Sequence, residues 1–329
     1  MLTRRTFFGT CFGLGLGLGE YARSGAQPLD TTEEVHPTKL PDVLGQWESP
    51  SAGSVGIPTG FRELDMLTGG LHESELILLT SPPGTGKTAL ALNIAEQAAT
   101  VANVPTLFVS LDHARYSVAN RMLCSRATID TNKARCGFFS EDDRRKLAEA
   151  SVTLQQAPFF VDDTPNRSLA EIAACARSMK RREQLGLLII DCLQLILPEN
   201  VGQHRQKQLA TMAQELKALA SELEIAVLCL TQSDQYTEAV NEENCLKILR
   251  VLGKIDRSAD VVLFLHREDV ESPEEGFRPK IADERVELIV AKQSGGPIGT
   301  VPLAWCGKYA RFETLPESRF GEFDECSPA

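Results

Sequence analysis

The chain has 329 residues, of which 43% are hydrophobic and 24% are charged. This composition excludes a disordered or fibrous protein and predicts one domain of about 250 residues with additional tails. The formal net charge of −11 argues against a general nucleic-acid coat protein, because such proteins need a basic surface, and any contact with nucleic acid must be local.

The first 26 residues resemble a twin-arginine export signal. The pair Arg4-Arg5 precedes Phe7-Phe8 and a short Gly-rich apolar stretch, and Ser24-Gly25-Ala26 offers small residues for cleavage. The alternative is a misassigned start or a tail that only looks like a signal. The apolar stretch is too short to span a bilayer, so we expect no membrane span.

Proline, glycine, serine and acidic residues without apolar periodicity predict a linker over residues 27–55. We expect the ordered domain to cover residues 56–314, with a short helix from Phe61 to Leu67 and a turn at Gly69-Gly70 near its start. Residues 315–329 are expected to form an acidic tail.

A phosphate-binding motif follows the apolar, strand-like run 75–80 and reads Ser81-Pro82-Pro83-Gly84-Thr85-Gly86-Lys87-Thr88. A helix-forming segment comes directly after it. In such a loop the backbone N–H groups converge on an anion, the lysine reaches the β- and γ-phosphates, and the threonine hydroxyl ligates Mg²⁺. The alternative is a Gly-rich turn without a ligand, but the strand, loop and helix together favour ATP and Mg²⁺. The usual first glycine is Ser81 here, which restricts the backbone.

Four further apolar runs predict buried parallel strands, at residues 106–111, 158–162, 187–191 and 225–230. An apolar stripe from Leu209 to Leu223 has helical spacing. Another strand, 261–265, precedes a hairpin in which 286–291 and 298–305 flank a turn at 294–297. The elements predict a three-layer α/β domain with a mainly parallel sheet and antiparallel strands at one edge.

Three polar residues follow or end these strands and are candidates for the chemistry. Asp191 could hold Mg²⁺ together with Thr88. Asp112 offers a second carboxylate that could polarise the attacking water. Gln232 could sense the γ-phosphate. The alternatives are a solvated strand end or a helix cap for each acid, and a loop amide that bonds backbone for Gln232.

Seven segments in this order resemble the C-terminal motor domain of DnaB-type replicative helicases: 60–71, 81–88, 110–112, 190–195, 231–232, 259–260 and 292–301. The Leu193-Gln194-Leu195 sequence after Asp191 and the Gly-Pro-Ile-Gly-Thr hairpin are specific to that family, and the resemblance covers residues 56–314. It implies a RecA-like core, a homo-oligomeric, hexameric ring, ATP hydrolysis at subunit interfaces and movement along single-stranded DNA.

The departures from the family pattern weaken the expected motor. The family's catalytic acid is Glu, and Asp112 is shorter by about 1.5 Å. The family's arginine finger is replaced by Ser294, and a missing finger typically costs about 10³ to 10⁵ in rate. Lys292 remains and could substitute in part as a point charge. Only a tail is expected before the motor, where the family has a helical domain.

The segment after Gln232 faces DNA in this family and is normally basic. Here residues 233–249 contain one lysine against Asp234, Glu238, Glu242 and Glu243, so we expect repulsion of phosphate. Arg205 and Lys207, in the loop after Asp191, are candidate contacts to single-stranded DNA, and a solvated face is their alternative.

Two functions therefore compete. The first is an ATP-driven DNA helicase, favoured by the intact phosphate loop with Asp191 and Gln232. The second is a degenerate nucleotide-binding switch or interaction protein, favoured by Asp112, Ser294 and the acidic segment. We expect the helicase. Nine scattered cysteines without a zinc-ligand pattern predict reduced thiols and, with the need for ATP, a cytoplasmic protein rather than an exported one.

Overall fold

A computed structural model describes residues 56–198, 204–232, 255, 257–267 and 284–315. The predicted signal and linker, the acidic segment 233–249 and residues 316–329 lie outside this part of the chain, so those expectations stay predictions. All described residues belong to one compact unit.

The described elements alternate between strands and helices. The helices are α1 (Arg62–Thr68), α2 (Lys87–Thr100), α3 (Arg115–Ala127), α4 (Thr131–Cys136), α5 (Glu141–Gln156), α6 (Leu169–Glu183) and α7 (Arg205–Leu223). The strands are β1 (Leu76–Ser81), β2 (Thr106–Ser110), β3 (Phe159–Asp162), β4 (Leu187–Asp191), β5 (Ala226–Gln232), β6 (Val261–Arg267), β7 (Glu284–Gln293), β8 (Gly299–Cys306) and β9 (Arg311–Thr314). None of these helices is long and apolar enough to cross a bilayer.

The nine strands form one sheet in the order β3-β2-β4-β5-β1-β6-β7-β8-β9. Neighbours from β3 to β6 are parallel, whereas β7, β8 and β9 continue the sheet in antiparallel fashion. The predicted fold class is confirmed, and each predicted strand lies within two residues of an observed one. Strand β9, which extends the antiparallel edge, was not predicted.

Helices cover both faces of the sheet, because the central strands are apolar on both sides. Leu76 and Leu78 of β1 face a core shared with α6 and α7. The intervening Ile77 and Leu79 face a second core shared with α1, α2 and α3. This alternation along a fully buried strand produces the three-layer arrangement.

The carboxyl ends of all the parallel strands lie on one side of the sheet, and the phosphate loop lies on this side. Ser81, Asp191 and Gln232 are the last residues of β1, β4 and β5. Ser81 lies beside Gln232 in register, and Asp191 lies beside Ser110 at the end of β2. Ligands of open α/β sheets bind on this side.

Candidate nucleotide-binding site

The phosphate loop turns from β1 into α2 with two glycines in the left-handed region. Gly84 has φ 80° and Gly86 has φ 111°, values that side chains rarely tolerate. Ser81 precedes the turn as a fully buried strand residue and has no positive φ. The serine at this position therefore adds no backbone strain, because glycine is required only where the chain turns.

Lys87 closes the loop from inside. Its Nζ donates to the carbonyl oxygens of Ser81 and Pro82, at 2.9 Å each, and to Ser81 Oγ at 3.1 Å. Burial lowers the pKa of Lys87, while Cys192 and Asp191 act in the opposite direction. A phosphate that enters the loop would compete with the two carbonyls for the same ammonium hydrogens, and its negative charge would favour the protonated lysine.

Thr88 and Asp191 meet between the first turn of α2 and the end of β4. Thr88 Oγ1 donates to Asp191 Oδ2 at 2.8 Å. Asp191 is only 5% exposed, and this burial raises its pKa, against the opposing effect of the threonine hydrogen bond. A hydroxyl and a carboxylate oxygen side by side fit Mg²⁺, which is usually held by one or two protein oxygens together with phosphates and water. Among the described residues no cluster of three or more His, Cys, Asp or Glu side chains could form an all-protein metal site.

Asp112 lies two residues beyond the end of β2, close to Asp191. Its carboxylate raises the pKa of Asp191, as expected for two like charges near each other. The Asp112 side chain is 62% exposed, and its Oδ2 lies 3.3 Å from His113 Nδ1. His113 did not stand out in the sequence, because a single histidine in a loop carries no pattern.

Gln232 is held by a second glutamine. Gln194 Nε2 donates to Thr231 Oγ1 at 2.7 Å and to the carbonyl of Gln232 at 3.1 Å. Gln194 Oε1 accepts from the Gln232 backbone N–H at 3.2 Å. The amide thus clamps the end of β5 beside the phosphate loop. The sequence singled out Gln194 only as part of the family motif, and its role needed the spatial neighbours.

An aromatic pair from the antiparallel edge packs against the phosphate loop. The rings of Trp305 and Phe312 lie 4.6 Å apart, and a Cβ at Gly86 would lie 2.9 Å from Phe312 Cζ. The backbone N–H of Phe312 donates to Asn93 Oδ1 of α2 at 2.9 Å. Strands β8 and β9 therefore support the loop from behind.

Lys292 and Ser294 contact the chain where the parallel strands β1 and β6 begin, on the side of the sheet away from the phosphate loop. Lys292 Nζ donates to the carbonyl of Ala259 at 2.7 Å, and Ser294 donates to the carbonyl of Asp260 through its N–H at 2.9 Å and its hydroxyl at 3.1 Å. The N–H of Asp260 in turn bonds Leu76, the first residue of β1. The length of β1, about 16 Å at roughly 3.3 Å per residue, separates this point from the chain's own phosphate loop.

Arg205 and Lys207 lie in the first turn of α7, which corrects their predicted place in a loop. The helix begins earlier than the apolar stripe indicates, because its first turn is polar. The Arg205 guanidinium donates to the carbonyl of Gln194 and to Gln208 Oε1. Arg205 therefore connects α7 to Gln194, the residue that holds the end of β5, and both Arg205 and Lys207 are exposed.

Comparison with known families gives a match to the DnaB-like helicase C-terminal domain over residues 56–314. Among curated proteins, the replicative DNA helicase DnaB of Geobacillus stearothermophilus is 38% identical over 271 residues, covering 81% of this chain and 58% of the relative. The corresponding protein of Leifsonia xyli subsp. xyli is 39% identical over 300 residues, covering 90% and 64%. The chain thus spans about three-fifths of the length of these relatives.

Solved structures agree with the sequence relatives. A solved ATPase domain superposes with a TM-score of 0.72 at 30% identity, covering 84% of this chain and 97% of that domain. A DnaB-like replicative helicase, solved in a study of its interactions with primase, superposes with a TM-score of 0.74 at 29% identity, covering 87% and 68%.

Proposed function

Because the chain belongs to the family of DnaB-like helicase C-terminal domains, we propose that it is an ATP-hydrolysing DNA helicase that acts on single-stranded DNA in replication. The observation that carries the proposal is the loop between β1 and α2, with Lys87 inside it and the bonded pair of Thr88 and Asp191 beside it. This arrangement is suited to binding a triphosphate together with a divalent cation.

Each candidate residue at the carboxyl ends of the parallel strands has a role in this proposal. The loop N–H groups and Lys87 bind the phosphates, and Thr88 and Asp191 would hold Mg²⁺, which neutralises phosphate charge when bound. Asp112 accepts a proton from the attacking water. The water oxygen then bonds to the γ-phosphorus as the bond to the bridging oxygen breaks, which leaves ADP and inorganic phosphate. Gln232, the last residue of β5, senses whether the γ-phosphate is present.

We propose that the site is completed by a second copy of the chain in a ring. Ser294 and the Nζ of Lys292 bond the carbonyls of Asp260 and Ala259 beside the start of β1, about 16 Å from their own phosphate loop along that strand at roughly 3.3 Å per residue. They can serve chemistry only at another copy's loop. Since Ser294 cannot provide the two-pronged contact of an arginine, we expect slow hydrolysis for this family.

The second candidate function is a nucleotide-binding switch with little or no unwinding, and the short Asp112 and the uncharged Ser294 favour it. The test is ATP turnover by the purified protein with and without single-stranded DNA, with Lys87→Ala as the matched control. The helicase requires turnover that DNA stimulates and that the control lacks. Tight ATP binding without turnover, measured by calorimetry, would support the switch.

Contact with DNA is proposed to be weak to moderate and carried by Lys207 more than by Arg205. Arg205 and Lys207 are both exposed, but the Arg205 guanidinium already bonds Gln194 and Gln208. A phosphate contact of this kind weakens steeply with added salt. Titration of a labelled single strand at several salt concentrations tests it, and a flat salt dependence would contradict it.

We propose a cytoplasmic location, because the motor needs ATP and the six cysteines of the described part of the chain are free thiols. The test is the N-terminal residue of the protein isolated from its native cells. Gln27 as the first residue, in an extracytoplasmic fraction, would support the export signal and contradict both the location and the helicase.

A further inference from the structure

His113 lies at the proposed catalytic site and has no role in the mechanism above. It directly follows Asp112, and its Nδ1 lies 3.3 Å from the Oδ2 of that carboxylate. The same Nδ1 is buried and has no hydrogen-bond partner among the described residues, so its contact with Asp112 is a close approach without hydrogen-bond geometry. A buried ring nitrogen without a partner is costly, so the nearby carboxylate is the group that can satisfy it.

The backbone around His113 is fixed from the strand side. Ser110 Oγ donates to the carbonyl of His113 at 2.6 Å, and the N–H of Leu111 donates to the carbonyl of Asp191 at 2.8 Å. These bonds tie the turn after β2 to the ends of β2 and β4. The imidazole side chain is 23% exposed, whereas the Asp112 side chain is 62% exposed. A constrained ring therefore lies beside a carboxylate that solvent would otherwise leave free to rotate.

We propose that His113 is a positioning residue that holds the Asp112 carboxylate towards the proposed γ-phosphate site. One oxygen, Oδ2, contacts the imidazole, and this contact leaves Oδ1 to accept a hydrogen from the attacking water. Fixing the rotamer compensates in part for the missing methylene, because an acid with a short reach is useful only when its orientation is set.

Asp191 is the neighbour that makes the orientation matter. Asp112 and His113 both act on the Asp191 carboxyl, the first raising and the second lowering its pKa. The imidazole therefore lies within electrostatic range of the carboxylate that would hold the metal ion. Without it, the like charge of Asp191 favours a rotamer of Asp112 directed away into solvent.

The inference rests on the proposed ATPase activity and is tested by a double-mutant cycle on the full chain, assayed at saturating ATP and Mg²⁺ with single-stranded DNA. His113→Ala should lower kcat roughly tenfold and leave KM for ATP within about twofold, as expected when only the base is misplaced. His113→Asn is the matched control, because its amide N–H can replace Nδ1–H, and it should keep most of the wild-type kcat.

The second arm uses Asp112→Glu, which supplies the longer side chain. In that background His113→Ala should change kcat by less than about twofold, because the longer acid no longer depends on the ring. Equal losses in both backgrounds, or an Asn variant as slow as Ala, would overturn the proposal. A larger loss for His113→Ala than for Asp112→Ala would instead identify the imidazole as the base, and would also overturn it.

A readout without turnover separates this inference from the proposed function. At about pH 8.5, where an ordinary imidazole is neutral, nitrogen NMR should show the His113 proton on Nδ1. In Asp112→Ala it should move to Nε2, since the acceptor is gone. If the wild type hydrolyses no ATP but shows this tautomer, the ATPase proposal fails and the contact stands. A proton on Nε2 in the wild type overturns the contact itself.

Discussion

The position of Gly86 against Phe312 allows a quantitative test of the phosphate loop. Replacing Gly86 by alanine adds a Cβ that would lie 2.9 Å from Cζ and 3.1 Å from Cε2 of the Phe312 ring. Gly84, two residues earlier, is the matched control, because it also has a positive φ but has no atom within 4 Å of the added Cβ. The two changes differ mainly in the contact with the ring.

The expected magnitudes follow from this difference. A side chain in the left-handed region costs about 1–2 kcal/mol, so Gly84→Ala should lower the free energy of unfolding by about that amount. Gly86→Ala adds an overpacking cost of about 1–3 kcal/mol, because the Phe312 ring is buried and bonded in place through its backbone. We expect total losses of about 1.5 and 3.5 kcal/mol.

The assay is urea unfolding of the nucleotide-free protein, with the m-value compared between variants. Phe312→Leu provides the second background, since it removes the ring atoms nearest to Gly86. There the two alanine variants should differ by less than about 0.5 kcal/mol. Equal losses for Gly84→Ala and Gly86→Ala in the wild-type background would refute the contact between loop and ring.

Three further predictions concern other parts of the structure. Ser294→Arg should raise the ATPase rate only under conditions where copies assemble, because the added guanidinium acts at another copy's site; an increase independent of protein concentration in the assay would contradict this. Binding of single-stranded DNA is measured by fluorescence titration at several salt concentrations. Lys207→Ala should make the slope of log K against log salt shallower by the amount of roughly one phosphate contact, and an unchanged slope would exclude this residue from the interface. Asp260→Ala should cost about 2–3 kcal/mol in urea unfolding, since Lys217 Nζ at 2.8 Å and the N–H of Leu76 at 2.8 Å lose their shared acceptor; a loss below about 1 kcal/mol would show that water replaces it.

Local patterns predicted the sheet because its strands are apolar on both faces. The runs at Leu187–Asp191 and Ala226–Gln232 are apolar up to their last one or two residues, and such runs fit poorly anywhere except inside a parallel sheet. Strand β9 could not be predicted from its own residues, because it has only four, of which Phe312 alone is buried. Its place is set by pairing with β8, which the sequence does not display.

The candidate site divides in the same way. The phosphate loop and Asp191 could be predicted from the sequence, because a strand, a turn and a helix mark them locally. The contacts of Gln194 with Gln232 and of Phe312 with Gly86 join residues 38 and 226 positions apart in the chain, from 194 to 232 and from 86 to 312. Such pairs exist only through the fold, and no single segment carries their signal.

The two ends of the parallel strands give the chain a polarity. The carboxyl ends present the phosphate loop, and the amino ends present Lys292 and Ser294, which are held by the backbone of Ala259 and Asp260. If Lys292 and Ser294 act at a neighbour's phosphate loop, copies can associate only head to tail, through two different surfaces. A heterologous contact of this kind never finishes as a simple dimer: it closes into a ring when its rotation divides a full circle, and otherwise continues as a helical filament. The direction of the parallel strands in one chain would then set the direction of the whole assembly.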